Sequence, residues 1–323
     1  MNVLVTGGTG YLGRAVVEAL RAAGHDVVLF SRAASRSGLP VRKVDGDIRD
    51  RTALGAAAAC CDAIIHSAAL VAVWRRRARD FDDVNVGGLS NVLAVARQAG
   101  ISRVLYTSSF LALPPGGLER APAWNDYQRT KASADHLAGS AVEQGVPLIR
   151  MYPGVIYGPG PVTDGNLVGR MIADHLKGRL PGVVGADHIW SFSFVDDVAA
   201  AHVAALTAGV PGRRYLLGGE DAPQMRAFDI VRTLTGRPLP RRIPGWAASG
   251  AAFADELRAA CFGATPMLTT GTLEILLRDW PLGHALAAEE LGYSVTPLEE
   301  GVARVVRALT AVAPPAPASG SAS

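Results

Sequence analysis

At 323 residues, 49% apolar and 19% charged, the chain can bury a large core in one or two domains. Its net charge of +3 is too small to argue for a nucleic acid or a membrane as partner, and the run Arg75-Arg76-Arg77-Ala78-Arg79 reads as a solvated face. Three cysteines (Cys60, Cys61, Cys261) make no disulfide framework, and seven scattered histidines have no ligand spacing, so no metal is expected. No apolar run is long enough to span a bilayer, and the chain opens directly on a strand, so a cytoplasmic protein without a leader is expected.

Short apolar runs then alternate with helical segments. Strands are predicted at Val3–Thr6, Val27–Phe30, Val41–Val44, Ala63–His66, Val104–Thr107 and Pro147–Met151. Helices are predicted near Tyr11–Ala23, Thr52–Ala58, Asp82–Gln98 and Tyr127–Gln144. Val, Leu and Ile without strict alternation imply strands buried on both faces, hence a parallel sheet wrapped by helices. After Pro153 the elements shorten. Asp196-Asp197 reads as a helix cap before Val198–Leu206, and Arg214–Leu217 as a strand returning to the sheet. Pro238, Pro240, Pro244 and Pro297 break the last third into a small helical cap. The Pro/Ala/Ser tail, 314–323, is expected to be disordered.

Thr6-Gly7-Gly8-Thr9-Gly10-Tyr11-Leu12-Gly13 joins the first strand to the first helix. Glycines at 7, 10 and 13 permit the tight turn, the close approach of a pyrophosphate and close helix–strand packing, with the phosphates at the helix N-terminus. In this strand–turn–helix context the motif predicts dinucleotide binding on a Rossmann-type, doubly wound parallel α/β sheet. Residues 1–155 form the expected nucleotide core, with 190–220 returning to it; 156–189 and 221–313 form the substrate-binding cap. The second strand ends in Ser31-Arg32 with Arg36 close behind, and no carboxylate stands there to repel a 2′-phosphate. Arginine matches phosphate as a fork, so NADP(H) is favoured over NAD(H). Asp47 is a candidate acceptor for the adenine amino group, although Asp47 and Asp50 also suit a helix start.

Lys43, Lys131 and Lys177 are the only lysines, and Lys131 follows Tyr127 by four residues. About 0.07 such Tyr-x-x-x-Lys matches are expected by chance in this composition. On a helix the ammonium lies beside the phenol and favours the phenolate, lowering its pKa from about 10 toward neutrality. An exposed pair on a helix is the plain alternative.

These motifs occur in order with Asp47-Ile48, His66-Ser67-Ala68-Ala69, Asn85-x-x-Gly88-x-x-Asn91, Tyr106-Thr107-Ser108-Ser109, Pro153-Gly154-Val155-Ile156-Tyr157-Gly158-Pro159-Gly160 and Phe194-Val195-Asp196-Asp197-Val198. Over residues 1 to about 310 the chain resembles the extended short-chain dehydrogenase/reductases, in the dihydroflavonol 4-reductase-like branch of the NAD-dependent epimerase/dehydratase superfamily. The resemblance implies that Tyr127 is the catalytic acid/base and that Lys131 bonds the nicotinamide ribose. It gives Ser109 the substrate oxygen, with Ser108 as the other register, and Asn85 the support of the active-site helix. Pro153 and Val155 would line the nicotinamide, and Ile48, Ser67, Ala68, Ala69 and Thr107 complete the expected cofactor contacts.

Three functions fit: an NADPH-dependent ketone or aldehyde reductase, a nucleotide-sugar epimerase, and a non-catalytic dinucleotide sensor. Dehydration is disfavoured, because Phe110-Leu111 stand where such enzymes carry an Asp-Glu pair. Tyr157, His188, Trp190, Phe192 and Phe194 either line the substrate pocket or pack between core and cap. The stretch from Ser109 to Tyr127 is short for the class and includes Pro114-Pro115-Gly116-Gly117, which weakens inference about pocket shape. A homodimer through the helices at 82–98 and 127–144 is a further expectation.

Overall fold

In the computed structural model, which describes residues 1–116 and 118–311, strand and helix alternate from the first residues. The order is β1 (Asn2–Thr6), α1 (Tyr11–Ala22), β2 (Asp26–Ser31), β3 (Arg42–Asp45), α2 (Arg51–Ala58) and β4 (Ala63–His66). Next come α3 (Arg79–Phe81), a π-helical turn (Asp82–Val86), α4 (Gly87–Gln98), β5 (Arg103–Thr107), α5 (Asp126–Glu143) and β6 (Leu148–Pro153). Beyond it lie β7 (Val155–Tyr157), α6 (Leu167–Leu176), β8 (Val183–Val184), β9 (Ile189–Phe194), α7 (Val195–Ala205) and β10 (Arg214–Leu217). The chain closes with β11 (Glu220–Pro223), α8 (Arg226–Thr235), β12 (Arg242–Ile243), α9 (Gly245–Phe262), α10 (Thr270–Leu276), α11 (Ala285–Leu291) and α12 (Leu298–Ala311). The tail at 314–323 lies outside the described residues.

Seven parallel strands form the main sheet in the order β10-β6-β5-β4-β1-β2-β3. The residues of β1, β2, β4, β5 and β6 are mostly buried on both faces, as continuous Val/Ile/Leu runs require, whereas edge strand β3 is largely exposed. On one face Val16, Val17 and Leu20 of α1 and Val198 of α7 pack with Val3, Val5 and Leu29; on the other Leu54, Leu89, Val92 and Ala138 pack with Leu4, Ile64 and Val104. The strand order reverses between β1 and β4. A crevice therefore opens at the strand C-termini, where α/β sheets bind their ligands.

Part of the expected layout differs. β10 returns to the main sheet, but β9 pairs with β7 and β11 in a separate three-stranded sheet. Asp196 and Asp197 are not caps: Phe194 holds the N-cap position of α7, and Asp197 instead accepts from the Thr296 amide (2.7 Å) and hydroxyl (2.9 Å) ahead of α12. Ala287, Leu291 and Tyr293, expected in the cap, pack in the cluster that holds Val3 and Val5. Among the described residues, α4 and α5 carry none of the large exposed apolar side chains; Trp246, Phe253, Leu257 and Phe262 on α9 do. No helix among them is long and apolar enough to cross a membrane, and no group of three or more His, Cys, Asp or Glu is placed to hold a metal.

Candidate active site

The turn after β1 accepts only glycine at two positions. Gly7 has φ +76°, and a Cβ there would lie 2.5 Å from the Ala68 amide nitrogen. A Cβ on Gly13 would lie 2.2 Å from the Gly7 carbonyl oxygen, so α1 could not approach the turn. The Gly10 amide bonds that same oxygen at 2.9 Å, and no side chain caps the α1 N-terminus. Its free amides and positive dipole end form a cradle that fits a pyrophosphate.

The crevice is a cleft of about 940 Å³. It gathers Gly7, Thr9, Gly10, Tyr11, Leu12, Gly13, Arg32, Arg36, Asp47, Ile48, Ser67, Ala68, Ala69, Thr107, Ser109, Tyr127, Lys131, Pro153, Val155 and Trp190. Of the carboxylates near the end of β2, Asp45 takes the Ser35 hydroxyl and amide (2.6 and 2.8 Å). Asp47 is gripped by the Arg49 fork at 2.9 and 2.7 Å, which holds its carboxyl down at about 2. Asp50, not Asp47, caps α2, accepting from the Thr52 and Ala53 amides. Arg32 and Arg36 keep no such partner among the described salt bridges and line the cleft.

Asn125 caps α5, accepting from the Gln128 amide at 2.8 Å, and so starts the helix just before Tyr127. Helical spacing then stacks Tyr127 and Lys131. Ser109 is the serine whose hydroxyl lowers the Tyr127 pKa, whereas the Ser108 hydroxyl is turned away and donates to Asp135 at 3.2 Å. Lys131 is buried with Nζ donating to the Thr107 carbonyl at 2.8 Å and lying 5.0 Å from the Tyr106 ring centre.

The phenol does not behave as expected from Lys131 alone. Surrounding protein pushes the Tyr127 pKa up to about 12, offset only in part by the nearby Ser109 hydroxyl. Burial pulls Lys131 down to about 8, opposed by Asp135. At this half-buried position desolvation outweighs the Ser109 contribution, because a phenolate here would lose more hydration than that hydroxyl replaces. Tyr127 therefore keeps its proton at pH 7.

Five of the residues expected at the site, Tyr157, His188, Phe192, Phe194 and Asn85, do not line the cleft. Tyr157 and Phe192 are fully buried, their rings edge-on at 5.9 Å in an aromatic cluster with Phe194. They are core packing, and Trp190 alone of that β9 face reaches the cleft. His188 pairs with Asp279 at 3.1 Å. Asn85 lies in the π-helical turn, buried, and accepts from the Leu70 amide (2.7 Å) while donating to Thr130 Oγ1 (3.0 Å). It thus ties the cleft segment 67–73 to α5 without lining the cleft. Asn85→Ala should cost about 1–3 kcal/mol by leaving the Leu70 amide unpaired; urea denaturation showing no loss would refute that tie. Sequence reading missed the wall formed by Phe110, Ile275 and Leu276, and the part played by Asp135. Only Asp135 left a local signal, four residues past Lys131.

Similarity to known proteins follows the same outline. The chain is 35% identical over 257 residues to sterol demethylase protein B of Methylococcus capsulatus, covering 75% of this chain and 76% of that one. It is 29% identical over 323 residues to a putative dihydroflavonol 4-reductase of Synechocystis, covering 94% and 92%. The crystal structure of gox2253 superposes with a TM-score of 0.80 at 27% identity, covering 96% of this chain and 98% of that chain. A glycine cradle that a single methyl would fill, a Ser-Tyr-Lys cluster at the sheet's switch point and a family model matching residues 3–218 agree: this NAD(P)-dependent enzyme belongs to the NAD dependent epimerase/dehydratase family.

Proposed function

We propose that the protein is an NADPH-dependent reductase of an apolar ketone or aldehyde. The observation that carries this reading is that Ser109, Tyr127 and Lys131 share one cleft with a wall of largely uncharged side chains. Val71, Val73, Phe110, Leu111, Trp190, Ile275 and Leu276 supply the apolar lining, with Asn125 and Thr272 as uncharged polar points. A nucleotide sugar would need cations for its diphosphate. Among the described lining residues the cations are Arg32, Arg36, Lys131 and Arg170, and Arg170 is bonded to Asp164. This inventory disfavours the epimerase reading.

When bound in the cleft, the dihydronicotinamide supplies the hydride. Tyr127 gives its proton to the carbonyl oxygen as negative charge develops there, and Ser109 donates a second hydrogen bond to the same atom. The Lys131 ammonium, anchored on the Thr107 carbonyl, keeps two further N–H groups for the ribose hydroxyls and for the phenolate left behind. The alcohol leaves and solvent restores the phenol proton.

Mixing the protein with NADPH and a panel of apolar ring and chain ketones, then with nucleotide sugars, tests the reading by absorbance. Ketone-dependent NADPH oxidation is expected. Epimerised sugar with no NADPH oxidation by any ketone would overturn it. The preference for NADPH rests on Arg32 and Arg36 at the end of β2, with the nearby Asp45 and Asp47 engaged elsewhere. Arg32→Asp should weaken NADPH binding at least tenfold, about 1.4 kcal/mol, and improve NADH relative to it. Unchanged selectivity in a fluorescence titration would remove the arginine from this role.

A further inference from the structure

On α5, Tyr127, Lys131 and Asp135 recur at every fourth residue and share one helix face. The first two line the cleft. Asp135 lies behind them, its side chain 15% exposed, and is oriented from three sides. Its Oδ1 accepts from the Tyr152 hydroxyl at 2.5 Å and the Ser108 hydroxyl at 3.2 Å, and its Oδ2 lies 3.8 Å from Arg150 Nη1.

Groups on β4, β5 and β6 surround Lys131 and Asp135, and one on β10 lies against Tyr152. β4 brings His66, which is buried, bonded to the Thr6 hydroxyl at 2.7 Å, and held down to about 3, hence neutral. β5 brings the Tyr106 ring and the Thr107 carbonyl, followed by Ser108. β6 brings Arg150 and Tyr152, and β10 brings Arg214, stacked 5.0 Å from the Tyr152 ring centre. Tyr127 and Asp135 come from α5 itself. Arg150 reaches the Lys131 amine only through Asp135, and Arg214 only through Tyr152. Among the described residues, Asp135 is the carboxylate whose charge favours the ammonium.

We propose that Asp135 is a positioning residue for the Tyr127–Lys131 pair: its carboxylate, aimed by Tyr152 and Ser108, keeps the buried Lys131 amine protonated. Arg150 tempers that effect by sharing the same carboxylate. A neutral amine would have one fewer N–H to offer and no charge to steady a phenolate. Oppositely, a freely solvated ammonium would not need the carboxylate at all. The inference rests on the reading of Tyr127 and Lys131 as the reacting pair, but its test needs no turnover.

Three lysines make the test direct. In protein labelled with 13C at lysine Cε, the resonances of Lys43, Lys131 and Lys177 are separable, and Lys43→Arg and Lys177→Arg assign the two exposed ones. The Lys131 inflection is expected near 8. Asp135→Asn preserves an acceptor for Tyr152 and Ser108 while removing the charge, and should lower the inflection by about one pH unit. A merely structural role would leave it in place, so a shift under about half a unit overturns the proposal. Arg150→Met supplies an independent arm should the first variant not fold: freeing Asp135 should raise the inflection, and an unchanged or lowered value overturns the proposal. Failure to reduce any carbonyl would sink the proposed function and leave this titration untouched.

Discussion

Tyr127→Phe should abolish turnover almost completely while NADPH binds within about twofold of the native protein. The phenol is the proton donor of the proposed step, and a positioned general acid contributes about 10²–10⁴-fold. Phenylalanine keeps the ring's volume, so the cleft wall stays packed, and the cofactor cradle at Gly7 to Gly13 is untouched. Steady-state rates with any accepted ketone, set beside a binding titration, separate the two effects. A loss of less than tenfold would remove Tyr127 from the proton step. The native pH profile should carry a matching sign. Tyr127 stays protonated up to about 12 and imposes no limb at working pH. Lys131 is an ammonium below about 8 and loses its proton above it, so turnover should be full at pH 6–7 and decline as pH rises through about 8.

Gly13→Ala should cost cofactor binding about a hundredfold or more. The added methyl would meet backbone, the Gly7 carbonyl oxygen at 2.2 Å and the Gly8 Cα at 2.8 Å, and backbone of this turn cannot swing aside as a side chain would. Either α1 moves off the sheet or the turn opens, and both misplace the amides that face the phosphates. Overpacking of this kind costs about 1–3 kcal/mol even before the ligand is considered. Gly250→Ala in exposed α9 is the matched control, since nothing lies within 4 Å of a Cβ there. It should leave binding unchanged and stabilise by about 0.5–1 kcal/mol. Calorimetric binding of NADPH by Gly13→Ala within threefold of native would show that this close approach is not needed.

The cofactor turn and the Tyr127–Lys131 pair were legible in the chain because both are local. Three glycines placed between one strand and one helix dictate their own geometry, and an i, i+4 spacing dictates which side chains meet. The parallel sheet was legible for a related reason: continuous apolar runs interleaved with helices leave few other ways to bury both faces.

What the one-dimensional pattern could not reach was orientation across distance. Trp190, Phe192 and Phe194 alternate along β9 and so share a face, but the pairing of β9 with β7 and β11 turned Phe192 and Phe194 into the core and left only Trp190 at the cleft. Asn85 was found by its motif, and it bonds Thr130 of α5, but its partners Leu70 and Thr130 lie 15 and 45 residues away in the chain. The titration of Tyr127 and Lys131 was likewise a tertiary property. Neighbouring charges can be counted from spacing, whereas the loss of hydration that outweighs them exists only once β4, β5 and β6 have closed around the helix.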